Sequence, residues 1–194
     1  MKILIIYGTT EGQTRKVAEY LKKDFEKHAH EVTLADANDT PPSPEGFDAV
    51  IIGASMHMER YQEPVLYYIR EHHSALNKVT SAFYSVSLTA ASDDAQTWHE
   101  LRYITDRFIG AGQWKPDLLE FVAGALRYTK YDFMKKFIMR QIARRAHHTL
   151  AENSADCEYT DWEALSRFAA RMERIAASVP VIVDKEETDY DAIC

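Results

Sequence analysis

Apolar and polar residues form alternating blocks along the chain, and these blocks predict strands and helices in turn. Residues 3–7 are an uninterrupted apolar run, which is typical of a strand buried on both faces. From about residue 13 to 28, apolar side chains recur at helical spacing with Lys and Glu between them: Val17, Ala18, Leu21, Phe25 and His28. Residues 31–36 then alternate as in a strand. This beginning predicts a β-α-β unit.

The alternation continues to a last helix near the end of the chain. Further strands are predicted at residues 47–55, 80–88 and 118–125. Helices are predicted from Pro64 onward, at residues 95–109, and after a cap at Asp161. Strands that alternate with helices in this way predict a doubly wound α/β fold, in which a five-stranded parallel sheet is covered on both faces.

The turn between the first strand and the first helix carries candidate chemistry. It reads Gly8-Thr9-Thr10-Glu11-Gly12-Gln13-Thr14. The first N–H groups of a helix lack intrahelical partners and carry partial positive charge, so an anion is stabilised there. Gly allows close approach, and Thr hydroxyls can donate to phosphate oxygens. The spacing matches neither a P-loop nor a dinucleotide fingerprint. It predicts a cradle for a single phosphate, although Gly and Thr also form ordinary strand-to-helix turns.

Two more loops follow strands of the predicted sheet, at residues 54–61 and 85–94. In an open parallel sheet, ligands bind beyond the carboxyl ends of the strands, where these loops lie. The two loops and their surroundings offer apolar and aromatic side chains: Met56, His57, Tyr61, Tyr84 and Trp98. A phosphate cradle beside such surfaces predicts a ligand with a flat ring system.

Composition adds the expected compartment and excludes some functions. The 194 residues suit one domain, which we expect over residues 1–178, followed by a tail at 179–194 that is disordered at its acidic end. The two cysteines give no disulfide framework, and no apolar run approaches the length of a membrane span. We therefore expect a reducing, cytoplasmic location. A net charge of −7 argues against a general nucleic-acid binder.

The charge is unevenly distributed, because residues 127–145 contain seven basic side chains and one acid, Asp132. Within this stretch Met134, Ile138 and Ile142 recur every four residues, as do the cations Lys136, Arg140 and Arg144 on another face. The pattern predicts a basic amphipathic helix. Such a helix can lie against anionic lipid headgroups or hold a large apolar anion, or it can pack on the domain with a solvated basic rim.

The Thr and Gly cradle, together with the five β-α units, resembles the flavodoxin superfamily over residues 1–125 and 158–177. That resemblance implies the strand order 2-1-3-4-5 and FMN held non-covalently by the three loops. The residues that it assigns to the cofactor are Thr9, Thr10, Glu11, Gly12, Gln13, Thr14, Ala54, Ser55, Met56, His57, Ser85, Val86, Ser87 and Leu88. Flavodoxins commonly carry a hydroxyl residue where this chain has Glu11. Because a carboxylate beside a phosphate is unfavourable, we expect its side chain to point away and only its N–H to face the phosphate.

A closer resemblance joins four motifs, which are Ser81–Val86, Gln113–Asp117, Ala123–Tyr128 and Tyr159–Glu163. They are similar to the flavodoxin-like, quinone-dependent protoporphyrinogen oxidase family of bacteria. The resemblance implies FMN-dependent oxidation of protoporphyrinogen IX to protoporphyrin IX in haem biosynthesis, with electrons passed to a membrane quinone. It also implies an inserted segment at 127–156 and peripheral attachment to the inner face of the cell membrane, at an anionic surface.

Within the insert, the resemblance makes four cations candidates for contact with substrate or membrane: Arg127, Lys136, Arg140 and Arg144. Arg suits this task because it forms bidentate, charge-assisted bonds with carboxylates such as the two propionates of the substrate. The sequence identifies no catalytic residue and no metal ligands. Two other functions stay open. One is a flavodoxin-like electron carrier without its own substrate, and the other is an NAD(P)H:quinone reductase, for which the chain has no dinucleotide fingerprint.

Overall fold

The computed structural model describes residues 1–126 and 157–178. Its main sheet contains five parallel strands in the order β2-β1-β3-β4-β5, which confirms the predicted fold and strand order. The strands are β1 (Lys2–Gly8), β2 (Glu31–Asp36), β3 (Ala49–Ser55), β4 (Thr80–Ser87) and β5 (Leu118–Ala123). Arg127, Lys136, Arg140 and Arg144, the insert at 127–156 and the tail at 179–194 lie outside the described residues.

Four helices cover the two faces of the sheet. They are α1 (Gln13–Lys27), α2 (Glu63–Leu76), α3 (Ala95–Ala111) and α4 (Trp162–Ser178), with a short 3₁₀-helix at Thr89–Ala91. The apolar stripes of α1 and α4 pack on one face, against side chains such as Ile3 and Ile5. Those of α2 and α3 pack on the other, against Leu4 and Ile6. The alternation of adjacent β1 residues between the two cores explains why this strand is apolar throughout.

The central strands β3 and β4 are buried at every position. Complete burial of a Val, Leu, Ile or Phe side chain contributes about 1.5 to 3 kcal/mol to folding, and Ile51, Ile52 and Phe83 in these strands are fully buried. No helix in the described parts of the chain is long and apolar enough to cross a bilayer.

Helix ends show one confirmed prediction and one error. Asp161 caps α4, since its Oδ1 accepts a hydrogen bond of 2.9 Å from the backbone N–H of Ala164. His28, which the helical spacing placed on the buried face of α1, is instead exposed just beyond the end of that helix. Its Nδ1 lies 2.8 Å from the Glu173 carboxylate on α4. The imidazole of His28 therefore finds its hydrogen-bond partner at the surface, and burial would have removed it from that partner.

The fifth predicted strand is shorter than expected and is followed by a separate hairpin stem. β5 ends at Ala123, and Ala125–Leu126 (β6) pairs antiparallel with Cys157–Glu158 (β7). Leu126 faces Cys157 in this pair, so the two ends of the insert lie side by side. The stem is tied to the sheet, because the Thr160 hydroxyl donates to the Ala123 carbonyl over 2.8 Å.

Candidate functional site

Strand register brings the three predicted loops to one edge of the sheet. Gly8 at the end of β1 is paired with Ala54 in β3, and Ser55 is paired with Val86 in β4. Ser87 is in turn paired with Ala123 at the end of β5. Because parallel strands end together at this edge, the loops after β1, β3 and β4 are neighbours, as the sequence predicted.

Gly12 shapes the first loop by adopting a left-handed conformation at the N-cap of α1. Its φ is 92°, a value that L side chains rarely adopt. The Gly12 N–H donates to Thr9 Oγ1 over 2.9 Å, which folds the loop on itself. No side chain caps the first turn of α1. The amides of that turn are therefore left available to an anion.

Thr14 provides a test of whether the loop fits a phosphate. Its side chain is fully buried, and its Oγ1 is the one buried side-chain oxygen or nitrogen without a hydrogen-bond partner in the described chain. An unpaired buried hydroxyl costs about 1 to 3 kcal/mol. A phosphate in the cradle would accept its hydrogen bond, so the residues present fit the phosphate of a nucleotide-like cofactor.

Tyr84 supports the cradle from beneath. It is fully buried, and its hydroxyl donates to the backbone carbonyl of Thr14 over 3.1 Å. Gly53 makes room for the ring, because a Cβ at that position would lie 1.9 Å from Tyr84 Cζ. Burial raises the pKa of Tyr84 well above its ordinary value, so the phenol stays a neutral donor. The expectation that this ring faces the ligand is wrong.

Tyr61 is also a core residue and not a ligand-facing surface. Only 9% of it is exposed, and its hydroxyl lies 2.7 Å from both Ser85 Oγ and Thr105 Oγ1. Thr105 donates its own proton to the Leu101 carbonyl, so Tyr61 donates to Thr105 and accepts from Ser85. Burial raises the pKa of Tyr61. The aromatic ring closes the core below the second and third loops.

Gln62, which the sequence did not single out, joins the first two loops. Its Oε1 accepts from the backbone N–H of Ser55 over 3.0 Å, and its Nε2 donates to the Ser55 hydroxyl. The same Nε2 donates to Thr10 Oγ1 over 3.0 Å. We call this set of bonds the Gln62 clasp. Because one amide contacts both loops, it sets the distance between the phosphate cradle and the loop after β3.

The tip of the second loop is a tight turn. His57 and Arg60 are paired through both backbone N–H groups, with N to O distances of 2.9 and 3.0 Å. Met58 and Glu59 between them both have positive φ, and Met58 is 87% exposed. Met56 enters the turn with its N–H donating to the Val86 carbonyl over 2.9 Å. The turn therefore presents an apolar side chain at the same edge as the cradle.

The third loop forms a 3₁₀-helix. The Ser87 hydroxyl accepts from the Ala90 N–H over 3.1 Å, and Leu88 immediately precedes the helix. Trp98 lies beyond it, with its indole N–H donating to the Ser92 carbonyl over 2.7 Å. Trp114, by contrast, is buried in the core between α2, α3 and the sheet. Hydrogen bonds to the Ser87 hydroxyl and from the Trp98 indole therefore hold this loop in place.

Gln13 belongs to the predicted cradle, but its side chain points to the hairpin stem. Its Nε2 donates to Glu158 Oε1 and to Thr160 Oγ1, both over 2.9 Å. Lys16, one turn further along α1, forms an ion pair of 2.7 Å with Glu158. The hydrogen bond from Lys16 lowers the pKa of the Glu158 carboxyl. We call these contacts the stem latch. They connect the cradle helix with the returning end of the insert.

Comparison with known proteins gives the family. The model of the flavodoxin domain matches residues 4–151. Protoporphyrinogen IX dehydrogenase (quinone) of Escherichia coli strain K12 is 33% identical over 170 residues, which cover 87% of this chain and 93% of that protein. The protein of the same name from Leishmania major is 30% identical over 183 residues, covering 92% of this chain and 78% of that one. The chain belongs to the flavodoxin-like protoporphyrinogen IX dehydrogenase (quinone) family.

Solved structures agree on the fold. Oxidised flavodoxin 1 from Bacillus cereus superposes with a TM-score of 0.53 at 14% identity, covering 90% of this chain and 98% of that one. A short-chain flavodoxin associated with a bacterial microcompartment gives a TM-score of 0.55 at 13% identity, covering 91% of this chain and 99% of the other. Together with the matching domain model, the flavodoxin fold implies FMN as the cofactor.

The structure thus brings together all three groups of residues that the sequence assigned to FMN, at 9–14, 54–57 and 85–88. The side chains of Ala54, Ser85 and Val86 are buried within the sheet. Only their backbone groups are therefore offered to a ligand. Individual contacts with FMN stay predictions, as does the expectation that the Glu11 carboxylate points away from the phosphate.

Proposed function

We propose that this chain oxidises protoporphyrinogen IX to protoporphyrin IX with bound FMN and passes the electrons to a quinone. The observation that carries the proposal is the buried, unpartnered Thr14 hydroxyl in an uncapped helix start, in a chain of this family. Both features favour a bound phosphate. FMN supplies the redox chemistry, since a flavin accepts two electrons at a time and can release them to a second substrate.

The chain's own residues hold and orient the cofactor. Thr14 Oγ1 and the free amides of the first turn of α1 would bind the phosphate. The Gln62 clasp keeps the cradle and the loop after β3 at a fixed distance. Tyr84 holds the Thr14 backbone from the core side. Because these contacts join parts of the protein to one another, they hold the loops in place and reduce the entropy lost on binding.

The insert at 127–156 would supply what an isolated flavodoxin fold lacks. Conversion of a porphyrinogen to a porphyrin removes six electrons, most simply as three two-electron steps, and the electrons leave to an apolar quinone. Seven basic residues between 127 and 145 suit both the propionates of the substrate and an anionic membrane surface. We propose that Arg127, Lys136, Arg140 and Arg144 make such contacts, with the protein attached peripherally to the inner face of the cell membrane.

An anaerobic assay tests the proposed activity. FMN-loaded protein is mixed with protoporphyrinogen IX and a quinone, and porphyrin fluorescence is followed. We expect a quinone-dependent rise well above the rate without protein. If FMN is bound but no such rise occurs, while the reduced protein passes electrons to another redox protein, the chain is an electron carrier and the proposed activity is wrong.

A further inference from the structure

A groove of about 390 Å³ lies beside the outer edge of β5, the last strand of the described sheet. One side is formed by the third loop and the start of α3, and the other by the segment after the stem and the start of α4. The residues that characterise it are Ala90, Trp98, Glu120, Phe121, Tyr159 and Ala164. The groove therefore lies between a loop assigned to FMN and the base of the insert.

The groove has an aromatic surface on the α3 side of β5. Trp98 and Phe121 meet edge to face, with ring centroids 5.5 Å apart and an interplanar angle of 88°. Ala90 after β4 and Ala164 on α4 also line the groove, and their small side chains leave it open. The Arg102 guanidinium lies over the Phe121 ring at 5.7 Å and places positive charge beside the groove. This combination suits a wide apolar ring that carries an acidic substituent.

Glu120 adds a hydrogen-bond acceptor to the groove. Its side chain is 23% exposed, and its carboxylate lies 3.9 Å from the Arg171 guanidinium. Burial raises the pKa of Glu120, although the positive charges of Arg171 and Arg167 act to lower it. An ionised carboxylate is an acceptor only, so it favours a ligand that presents N–H or O–H donors. A porphyrinogen presents four pyrrole N–H groups, whereas a quinone ring presents only carbonyl acceptors.

We propose that this groove binds the tetrapyrrole across the edge of β5, with Phe121 and Trp98 against the macrocycle on the α3 side and Glu120 accepting hydrogen bonds from pyrrole N–H groups on the α4 side. Arg102 then lies within reach of a propionate at the rim. The inference rests on the proposed function, because it names the part of the molecule that holds the substrate of that reaction. The groove itself is formed by described residues, and contacts from the insert would add to its affinity for the substrate.

The test fills the groove and measures porphyrin binding directly. Ala164→Trp places an indole in the groove, and Ala170→Trp places the same side chain on the exposed face of α4 as a matched control. Binding of protoporphyrin IX to the FMN-loaded proteins is followed by porphyrin fluorescence, and FMN affinity is measured separately. We expect Ala164→Trp to weaken porphyrin binding at least tenfold with FMN affinity unchanged, and Ala170→Trp to leave both unchanged.

A second pair of variants guards against a folding defect in the first. Glu120→Gln exchanges one carboxylate oxygen for an amide that donates, and Glu71→Gln makes the same change on the exposed surface of α2. We expect Glu120→Gln to raise the KM for protoporphyrinogen several-fold at an unchanged KM for quinone and an unchanged or higher Tm. Glu71→Gln should match the wild type.

The outcomes separate this proposal from the proposed function. If wild-type protein oxidises protoporphyrinogen but neither Ala164→Trp nor Glu120→Gln alters porphyrin binding or the KM for protoporphyrinogen, the groove is wrongly assigned and the activity stands. If the variants raise only the KM for quinone, the groove is a quinone site and our assignment is overturned. If wild-type protein binds protoporphyrin IX in the groove but turns over no protoporphyrinogen, the activity fails instead.

Discussion

Thr14 is the residue at which stability and cofactor binding oppose each other. Its buried hydroxyl has no partner in the described chain, so the protein without cofactor bears the cost of desolvating it. A bound phosphate would remove that cost. Such an arrangement is expected of a binding residue, because a group that is satisfied only by its ligand contributes to affinity at the expense of the empty fold.

We therefore expect Thr14→Val to stabilise the protein without cofactor, or leave its stability unchanged, and to weaken FMN binding. Loss of a hydrogen bond to a charged phosphate should cost about 1.5 to 3 kcal/mol, which is roughly a 10- to 150-fold rise in Kd. Thermal unfolding of the FMN-free protein and fluorescence titration with FMN measure the two effects.

Thr105→Val is the matched control for this substitution. Thr105 is equally buried, but its hydroxyl donates to the Leu101 carbonyl over 2.8 Å and lies 2.7 Å from the Tyr61 hydroxyl. Its loss should lower the Tm and leave FMN affinity near the wild-type value. If Thr14→Val instead lowers the Tm and keeps full affinity, the cradle is wrongly assigned.

Gln62 gives a second prediction at the scale of one side chain. Gln62→Ala removes the whole clasp, so we expect both a lower Tm and FMN affinity reduced several-fold. Gln62→Glu keeps an acceptor for the Ser55 N–H but loses the donor to Thr10 Oγ1. Its Tm and its FMN affinity should therefore lie between those of the wild type and of Gln62→Ala. Equal FMN affinity in all three proteins would show that the spacing of the loops does not depend on the clasp.

At the scale of elements, α1 and the hairpin stem are connected by the stem latch. Lys16 and Glu158 are 54% and 33% exposed, so the energy of their ion pair is modest, typically below about 1 kcal/mol. The latch matters through its position, since one end lies on the helix that begins at the cradle. Movement of the stem would therefore be transmitted to the first turn of α1.

A double-mutant cycle with Lys16→Met and Glu158→Gln measures the strength of this connection. The pKa of Glu158 is lower in the fold than its ordinary 4.5, so the carboxylate stabilises the fold above that pH. That contribution is lost as the pH falls through the lowered pKa. We expect a coupling energy at pH 7 that weakens in high salt and disappears once the pH is below the lowered pKa of Glu158. Coupling that is independent of pH would contradict an ionic latch.

The elements that the sequence predicted well are those in which one physical term dominates. β1 and β3 are covered on both faces, and their nearly continuous apolar runs are typical of buried parallel strands. The end of β5 was missed, because Gly124 and Ala125 continue the apolar pattern while the backbone changes partner to Glu158. Pairing between segments more than 30 residues apart leaves no local pattern.

The site was predicted as a set of loops more accurately than as a set of side chains. Helix-start chemistry and strand order locate the cradle, and both can be obtained from spacing and from a resemblance. Tyr61 and Tyr84 were assigned to the ligand because they lie in or next to the loops at this edge of the sheet, and a flat ring was inferred from them. Their burial depends on Gly53 and Thr105, which approach them only through tertiary packing. The role of Gln62 was not predicted for the same reason, because its contacts with Ser55 and Thr10 form only in the folded protein.

At the scale of the whole molecule, the role of the insert can be tested apart from the described fold. The ends of the insert meet at the pair Leu126 and Cys157, so residues 127–156 can be replaced by a two-residue Asn-Gly turn that closes the hairpin. We expect this variant to retain FMN with little change in affinity, to lose protoporphyrinogen oxidation or sharply raise its KM, and to lose binding to anionic vesicles.

The matched control keeps the insert and neutralises three of its cations, as Lys136→Gln, Arg140→Gln and Arg144→Gln together. Cosedimentation with anionic and with neutral vesicles distinguishes electrostatic from apolar contributions to membrane binding. Loss of FMN on deletion would mean that the insert forms part of the cofactor site. Full membrane binding by the neutralised protein would contradict an electrostatic attachment.

The fit between Gly53 and Tyr84 has a consequence for how the family can vary. A single methyl group at position 53 would collide with the ring that holds the Thr14 carbonyl. The two positions are therefore expected to change together among relatives, with a larger residue at the first accompanied by a smaller one at the second. A relative with both a side chain at the first position and an aromatic ring at the second would need a different support for its cradle.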